Sequence, residues 1–93
     1  MTGLYCLIMF IVYVLYSRSA SKSYVGFTSN LSERLLSHNE LGHKGWTRKF
    51  RPWELVFTEE FQTKPEAMQR EKWLKSGVGR EFVRTKIRQW LNP

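Results

Sequence analysis

The stretch Met9–Ser17 (MFIVYVLYS) carries apolar, β-branched and aromatic side chains at both odd and even positions. A strand built from it has no face that can be left to water, so other elements must cover it on both sides. The chain has 93 residues, too few to build two separate cores, and a single domain over residues 1–93 is expected around that strand. The means to cover it are present: 42% of residues are hydrophobic and 15% aromatic, with four tryptophans among them.

Ser19–Ser23 is a polar turn, and Tyr24–Thr28 resumes the strand pattern, so the two apolar segments should pair as a hairpin. Gly26 falls within the second, where a side chain would block something. Asn30 with Glu33 three residues later has the form of a helix start and predicts a short helix to about Asn39. Trp53–Phe61 alternates Trp53, Leu55 and Phe57 against Glu54, Val56 and Thr58, the period of a half-buried third strand. Thr63-Lys64-Pro65-Glu66 reads as a capping box with proline in the first turn, opening a helix to about Ser76. Gly77 and Gly79 should interrupt it. From Arg80, Phe82, Val83, Ile87, Trp90 and Leu91 recur at helical spacing, predicting a final amphipathic helix. The element order is ββαβαα, an α+β domain.

Fifteen Lys and Arg against eight acidic residues leave a net charge of +7, which favours a polyanionic partner, with nucleic acid ahead of an anionic membrane surface. From Lys64 onward eight positive and three negative side chains give +5 of that total, so the surplus sits in the C-terminal third. Every acidic residue is glutamate. A dense carboxylate cluster for two metal ions is hard to make from that inventory, whereas one ion on one carboxylate is feasible. Cys6 is the single cysteine, which excludes an internal disulfide and a cysteine-rich zinc site and suits a reducing, cytoplasmic setting. The apolar run Leu4–Tyr16 has no Lys or Arg before it and falls short of the roughly 20 residues needed to span a bilayer. No stable membrane association is expected, although the run could serve a peripheral anchor.

Several side chains could do chemistry. Glu71 shares a helical stripe with Ala67 and Leu74, so its carboxylate turns toward the core and needs a partner, either a metal ion or Lys75 one turn on. Arg34 and His38 lie four apart, with a planar guanidinium suited to a charged phosphate beside an imidazole. Tyr13 and Tyr24 sit on the two hairpin strands, where core packing is the ordinary role. A phenol with a pKa near 10 needs a cation or metal-bound water nearby before it can act as a base. Leu41–Pro52 is a basic, aromatic loop in which Lys44, Trp46, Arg48 and Lys49 could grip and stack on a nucleic acid, with Lys75 as a further contact. His38 and His43 are too few for a structural zinc finger.

In order and spacing these residues resemble the GIY-YIG endonuclease family, particularly its small stand-alone bacterial members. The first signature stands as Ile11-Val12-Tyr13, with Ile11 in place of the family's glycine, and the second as Tyr24-Val25-Gly26. Asn30–Asn39 resembles the family's arginine helix and Glu66–Lys75 its glutamate helix. The likeness covers about residues 9–87, leaving Met1–Ile8 as an N-terminal extension. It implies a three-stranded antiparallel sheet flanked by helices and Mg²⁺- or Mn²⁺-dependent hydrolysis of DNA phosphodiesters. In that mechanism Glu71 holds one divalent ion, Tyr13 takes a proton from the attacking water, Arg34 neutralises the transition state, and Tyr24 and His38 position water and phosphate. DNA is the expected partner, cut with a preference for branched or structured forms or with low sequence specificity. The alternative is a module of the same fold that binds nucleic acid without cutting it.

Overall fold

A computed structural model describes residues 9–41 and 46–93, except for the side chains at 41 and 46. Three strands, β1 (Phe10–Ser17), β2 (Lys22–Thr28) and β3 (Glu54–Phe61), form one antiparallel sheet in the order β2-β1-β3. Helix α1 (Leu31–Leu36) leads into a π-type turn over Ser37–Leu41, and a 3-10 turn over Trp46–Phe50 precedes β3. Helices α2 (Lys64–Leu74) and α3 (Gly77–Leu91) complete the chain. The ββαβαα order and the sheet expected from the sequence are both present.

The doubly apolar run is the central strand. Val12, Tyr13, Val14 and Leu15 are all fully buried. Strand alternation divides them between two cores: Val12 and Val14 pack with Ala67, Leu74, Val83 and Ile87 of α2 and α3, whereas Tyr13 and Leu15 pack with Trp53, Tyr24, Leu31 and Phe50 on the opposite face. Burying such a side chain contributes roughly 1.5 to 3 kcal/mol. The exposed Arg18–Glu54 ion pair, at 2.6 Å, belongs to a class worth at most about 1 kcal/mol, so the sheet is held by its centre and not by its rim. Residues 10–16 are thereby committed to a core, which removes them as a membrane anchor; residues 1–8, with Cys6, lie outside the described residues. No described helix is long and apolar enough to cross a membrane.

Both predicted helix starts are formed by the expected side chains. Asn30 Oδ1 accepts the Glu33 N–H at 3.1 Å and its Nδ2 donates to Glu33 Oε2 at 3.0 Å. Thr63 Oγ1 accepts the Glu66 N–H at 3.4 Å and donates to Glu66 Oε1 at 2.9 Å. At each start the cap closes one orphan backbone donor, and the glutamate braces the capping side chain in return.

Three boundaries differ from expectation. The α-helix stops at Leu36, not Asn39, and the chain continues as the π-type turn, whose carbonyls Arg51 holds, its Nε donating to His38 O at 2.7 Å and its Nη2 to Ser37 O at 3.4 Å. In β3 the simple alternation fails. Leu15 pairs with Leu55 while Val14 pairs with Phe57, so Val56 is an extra residue at a bulge. Val56 and Phe57 consequently both pack on the core, and Leu55 is left 37% exposed. The glycines after α2 do not form a loop. Ser76 caps α3, its Oγ accepting the Gly79 N–H at 3.3 Å, and both Gly77 and Gly79 lie in the helix.

Candidate active site

Strand β2 is an edge of the sheet, and α1 and α2 cover opposite faces of it. Along that edge lies a cleft of about 400 Å³, lined by Tyr24, Gly26 and Ser29 from the β2 side, Arg34 from α1, and Lys64 and Glu71 from α2. Residues distant in sequence meet here because the two faces of β1 are apolar: each face recruits one helix, and both helices end up against the same edge.

Glu71 is the only carboxylate lining the cleft. Its side chain is 22% exposed, with Lys75 Nζ at 3.6 Å, so both partners considered from the sequence bear on it: the lysine is in contact, and one side of the carboxylate faces open space. No group of three or more His, Cys, Asp or Glu side chains is assembled among the described residues. A single hard oxygen donor in a roomy polar cleft fits an ion of the Mg²⁺ type, which keeps most of its water and takes one or two carboxylates.

Beneath the cleft lies an aromatic cluster. Tyr13 Oη and His38 Nε2 are 2.9 Å apart. The Tyr24 and His38 rings meet edge-on with centroids 4.7 Å apart, and Tyr13 and Tyr24 lie 6.2 Å apart. Burial pushes the Tyr13 phenol up to about 12; Tyr24 and Glu71 add to this, while the positive charge of Arg34 opposes it. The expectation that a cation would ease the proton off Tyr13 therefore meets a stronger contrary effect. Burial likewise lowers His38 below its ordinary 6.5, helped by Arg34 and Arg51, so the imidazole is neutral at pH 7. A protonated phenol facing a neutral imidazole donates its hydrogen bond to Nε2.

Tyr13 reaches its position only because residue 26 has no side chain. The two residues are cross-strand partners, and a Cβ on Gly26 would lie 2.6 Å from Tyr13 Oη, 2.8 Å from its Cζ and 3.0 Å from Tyr24 Cε1. Gly26→Ala is expected to destabilise the protein by about 1 to 3 kcal/mol, the usual cost of overpacking. Adding Tyr13→Phe, which removes the nearest atom, should restore part of that loss. Thermal melts of the single and double variants check this; equal melting of Gly26→Ala and wild type would refute the close contact.

The five predicted site residues thus gather in two tiers. Tyr24, Arg34 and Glu71 line the cleft, while Tyr13 and His38 are buried outside its lining, with the charge of Arg34 acting on both. The basic loop is less connected to them: Arg48 and Lys49 are exposed on the 3-10 turn, and Lys44, His43 and the side chain of Trp46 lie outside the described residues. Three further contributors escaped sequence reasoning. Lys64 enters the cleft seven residues before Glu71, two turns along the same helical face, a spacing that could have revealed it. Asn39 brackets Trp53, donating to its carbonyl at 3.1 Å and accepting its N–H at 2.6 Å. With Arg51, it pins the π-type turn that carries His38. Those contacts span 13 and 14 residues and leave no local pattern.

Comparison with known proteins agrees with this arrangement. The model of the GIY-YIG catalytic domain matches residues 9–83, which contain all five predicted side chains. The chain belongs to the GIY-YIG family. Among GIY-YIG relatives, the UPF0213 protein YazA of Bacillus subtilis is 44% identical over 56% of this chain and 52% of its own length. The UPF0213 protein NP_0776A of Natronomonas pharaonis is 43% identical over 70% of this chain and 75% of its own. The solution NMR structure of the UPF0213 protein BH0048 from Bacillus halodurans is 29% identical, covers 83% of each chain and has a TM-score of 0.50. The chain spans about half the length of the first Bacillus relatives it matches. A nuclease-like GIY-YIG domain with an α+β fold is the level at which these likenesses agree.

Proposed function

We propose that this GIY-YIG protein is a divalent-metal-dependent endonuclease that hydrolyses DNA phosphodiester bonds. The observation that carries the reading is the shared cleft, which sets one carboxylate (Glu71), two cations (Arg34 and Lys64) and one phenol (Tyr24) around a space large enough for a phosphate. Membership of a nuclease-like family and the basic charge of the chain support it.

Arg34 and Lys64 bind the scissile phosphate, and Arg34 also offsets the charge that develops on it. A Mg²⁺ or Mn²⁺ ion held by Glu71 would supply further positive charge at the phosphate and leaving oxygen. The positive charge of Arg34 also acts on the Tyr13 phenol, so a phosphate it holds is drawn to that side of the cleft. With its own proton in place up to about pH 12, Tyr13 can accept another only by passing the first one on. Neutral His38, 2.9 Å away, is the acceptor: water gives a proton to the phenol oxygen as the phenol proton moves to Nε2. Tyr24 packs against His38 and orients the water. Such proton transfer is typically worth about 10²- to 10⁴-fold, so electrostatic stabilisation must supply the remainder.

The relay fixes a pH dependence. His38 must be neutral, and its folded pKa lies below 6.5, so nicking should hold from pH 7 to 6.5 and fall only at lower pH. The same neutral form supports stability above the unfolded pKa near 6.5, and that stability is lost as pH falls through the lower folded value. Rates of nicking across pH for wild type and His38→Gln check this. An acid limb at or above 6.5, or one that survives in His38→Gln, rules out the relay.

The function itself is tested by incubating purified protein with supercoiled or branched DNA in Mg²⁺ and in chelator. Nicks that require Mg²⁺ are expected. A second reading, a binding module that does not cut, draws on the Glu71–Lys75 contact at 3.6 Å, in which the carboxylate already has a cation. Binding without Mg²⁺-dependent nicks would favour it.

A further inference from the structure

Two more cavities, of about 390 Å³ each, continue from the cleft between β2 and α3. Tyr24 forms a wall of both the cleft and the second cavity, while Ser23 and Arg84 border both the second and the third. Shared lining residues set the three in a row along the sheet edge. Lys75, Arg80 and Arg84 line the middle of that row, and Arg84 and Arg88 its far end. On α3, Arg80, Arg84 and Arg88 recur every fourth residue, on one face and about 6 Å apart along the axis. All three are exposed. Arg84 is bonded to the exposed Glu81, and Lys75 contacts Glu71, whereas Arg80 and Arg88 belong to none of the ion pairs among the described residues.

Beneath this basic rim lies the core itself, with Val25, Leu74, Val83 and Ile87 nearly buried, so the charged rim is the main surface a ligand meets. A row of cations four residues apart along a helix suits a polynucleotide strand, whose successive phosphates take the charge. An anionic membrane fits less well. The apolar face of α3 is occupied by the core, with Val83 4% and Ile87 8% exposed, so the helix has no apolar face to insert into lipid.

We infer that the β2–α3 groove holds the strand that continues beyond the cleft, with Lys75, Arg80, Arg84 and Arg88 binding its successive phosphates. The inference rests on the nucleic-acid reading above. It transfers the main grip from the Arg48–Lys49 turn to α3, and it predicts that affinity depends on how far a strand extends past the cut.

The test compares charge-matched variants, Arg80→Gln/Arg88→Gln in the groove and Lys72→Gln/Lys86→Gln outside it, binding a fluorescein-labelled DNA strand in chelator so that no cutting enters. The groove variant should weaken binding on the order of tenfold at about 0.1 M salt, and the slope of log K against log salt should become shallower by about 1.4, some 0.7 per lost phosphate contact on a single strand. The outer variant should change affinity less than about twofold. Thermal melts establish that both variants are folded. An RNA strand of the same sequence identifies the preferred polynucleotide; loss specific to the groove variant with either supports the inference. Equal losses in the two variants overturn the groove alone and leave the nuclease reading standing. Failure of the wild-type protein to bind either strand overturns both.

Discussion

Glu71→Ala is expected to reduce Mg²⁺-dependent nicking of DNA by about 10³-fold or more while the variant melts within about 4 °C of wild type. The activity loss follows from the donor inventory. Glu71 is the only carboxylate lining the cleft, and with no aspartate in the chain there is no neighbour to substitute for it. The fold is spared because, among the described residues, the single ion pair Glu71 makes is the partly exposed one with Lys75 at 3.6 Å. Pairs of that spacing on a helix are worth about 0.3 to 0.5 kcal/mol, and alanine returns part of that as helix propensity. Arg34→Ala should lose on the order of 10³-fold, the scale for removing an arginine that stabilises a transferring phosphate. The side chain is exposed at the cleft, so the core is again spared. Plasmid nicking by the purified variants, with thermal melts alongside, gives both readouts. Retained cleavage by Glu71→Ala would end the one-metal mechanism.

Gly79→Ala should instead remove stability, by about 3 to 5 kcal/mol, lowering the melting temperature by roughly 15 to 30 °C. A Cβ at residue 79 would stand 1.9 Å from the Trp73 carbonyl oxygen and 2.6 Å from Leu74 Cα. Those are backbone atoms of α2, which cannot swing aside as a side-chain tip can. Relief requires opening the elbow between α2 and α3, and that withdraws Leu74, Val83 and Ile87 from the core they share. Gly77, two residues earlier in the same helix, is the internal control. A Cβ there meets nothing within 4 Å, so Gly77→Ala should be neutral or stabilising by up to about 1 kcal/mol. If the two alanine variants melt alike, the close approach of the helices at Gly79 is wrong.

Much of this protein is written locally. The buried central strand follows from apolar residues on both faces of Met9–Ser17, and two helix starts follow from Asn30 with Glu33 and Thr63 with Glu66, since strand period and capping chemistry act over a few residues. Tyr13, Tyr24, Arg34, His38 and Glu71 were likewise legible, through their order, spacing and family likeness. Local pattern misled where a distant group intervened. Arg51 holds the turn after α1 from 13 residues away, the bulge at Val56 arises from pairing with β1, and the glycines that resemble a break are a helix start made glycine-dependent by the backbone of α2.

What the amino-acid order decided alone was therefore the kind and sequence of the elements, and which side chains could carry chemistry. Tertiary structure decided their relation. It set Glu71 and Arg34 across one sheet edge from opposite faces, buried Tyr13 so that its phenol holds its proton, and lined up α3's arginines beside the cleft. Periodicity and capping are energies of neighbouring residues. Burial, desolvation and cleft formation depend on which distant surfaces exclude water from one another, and that is determined only when the whole chain closes around β1.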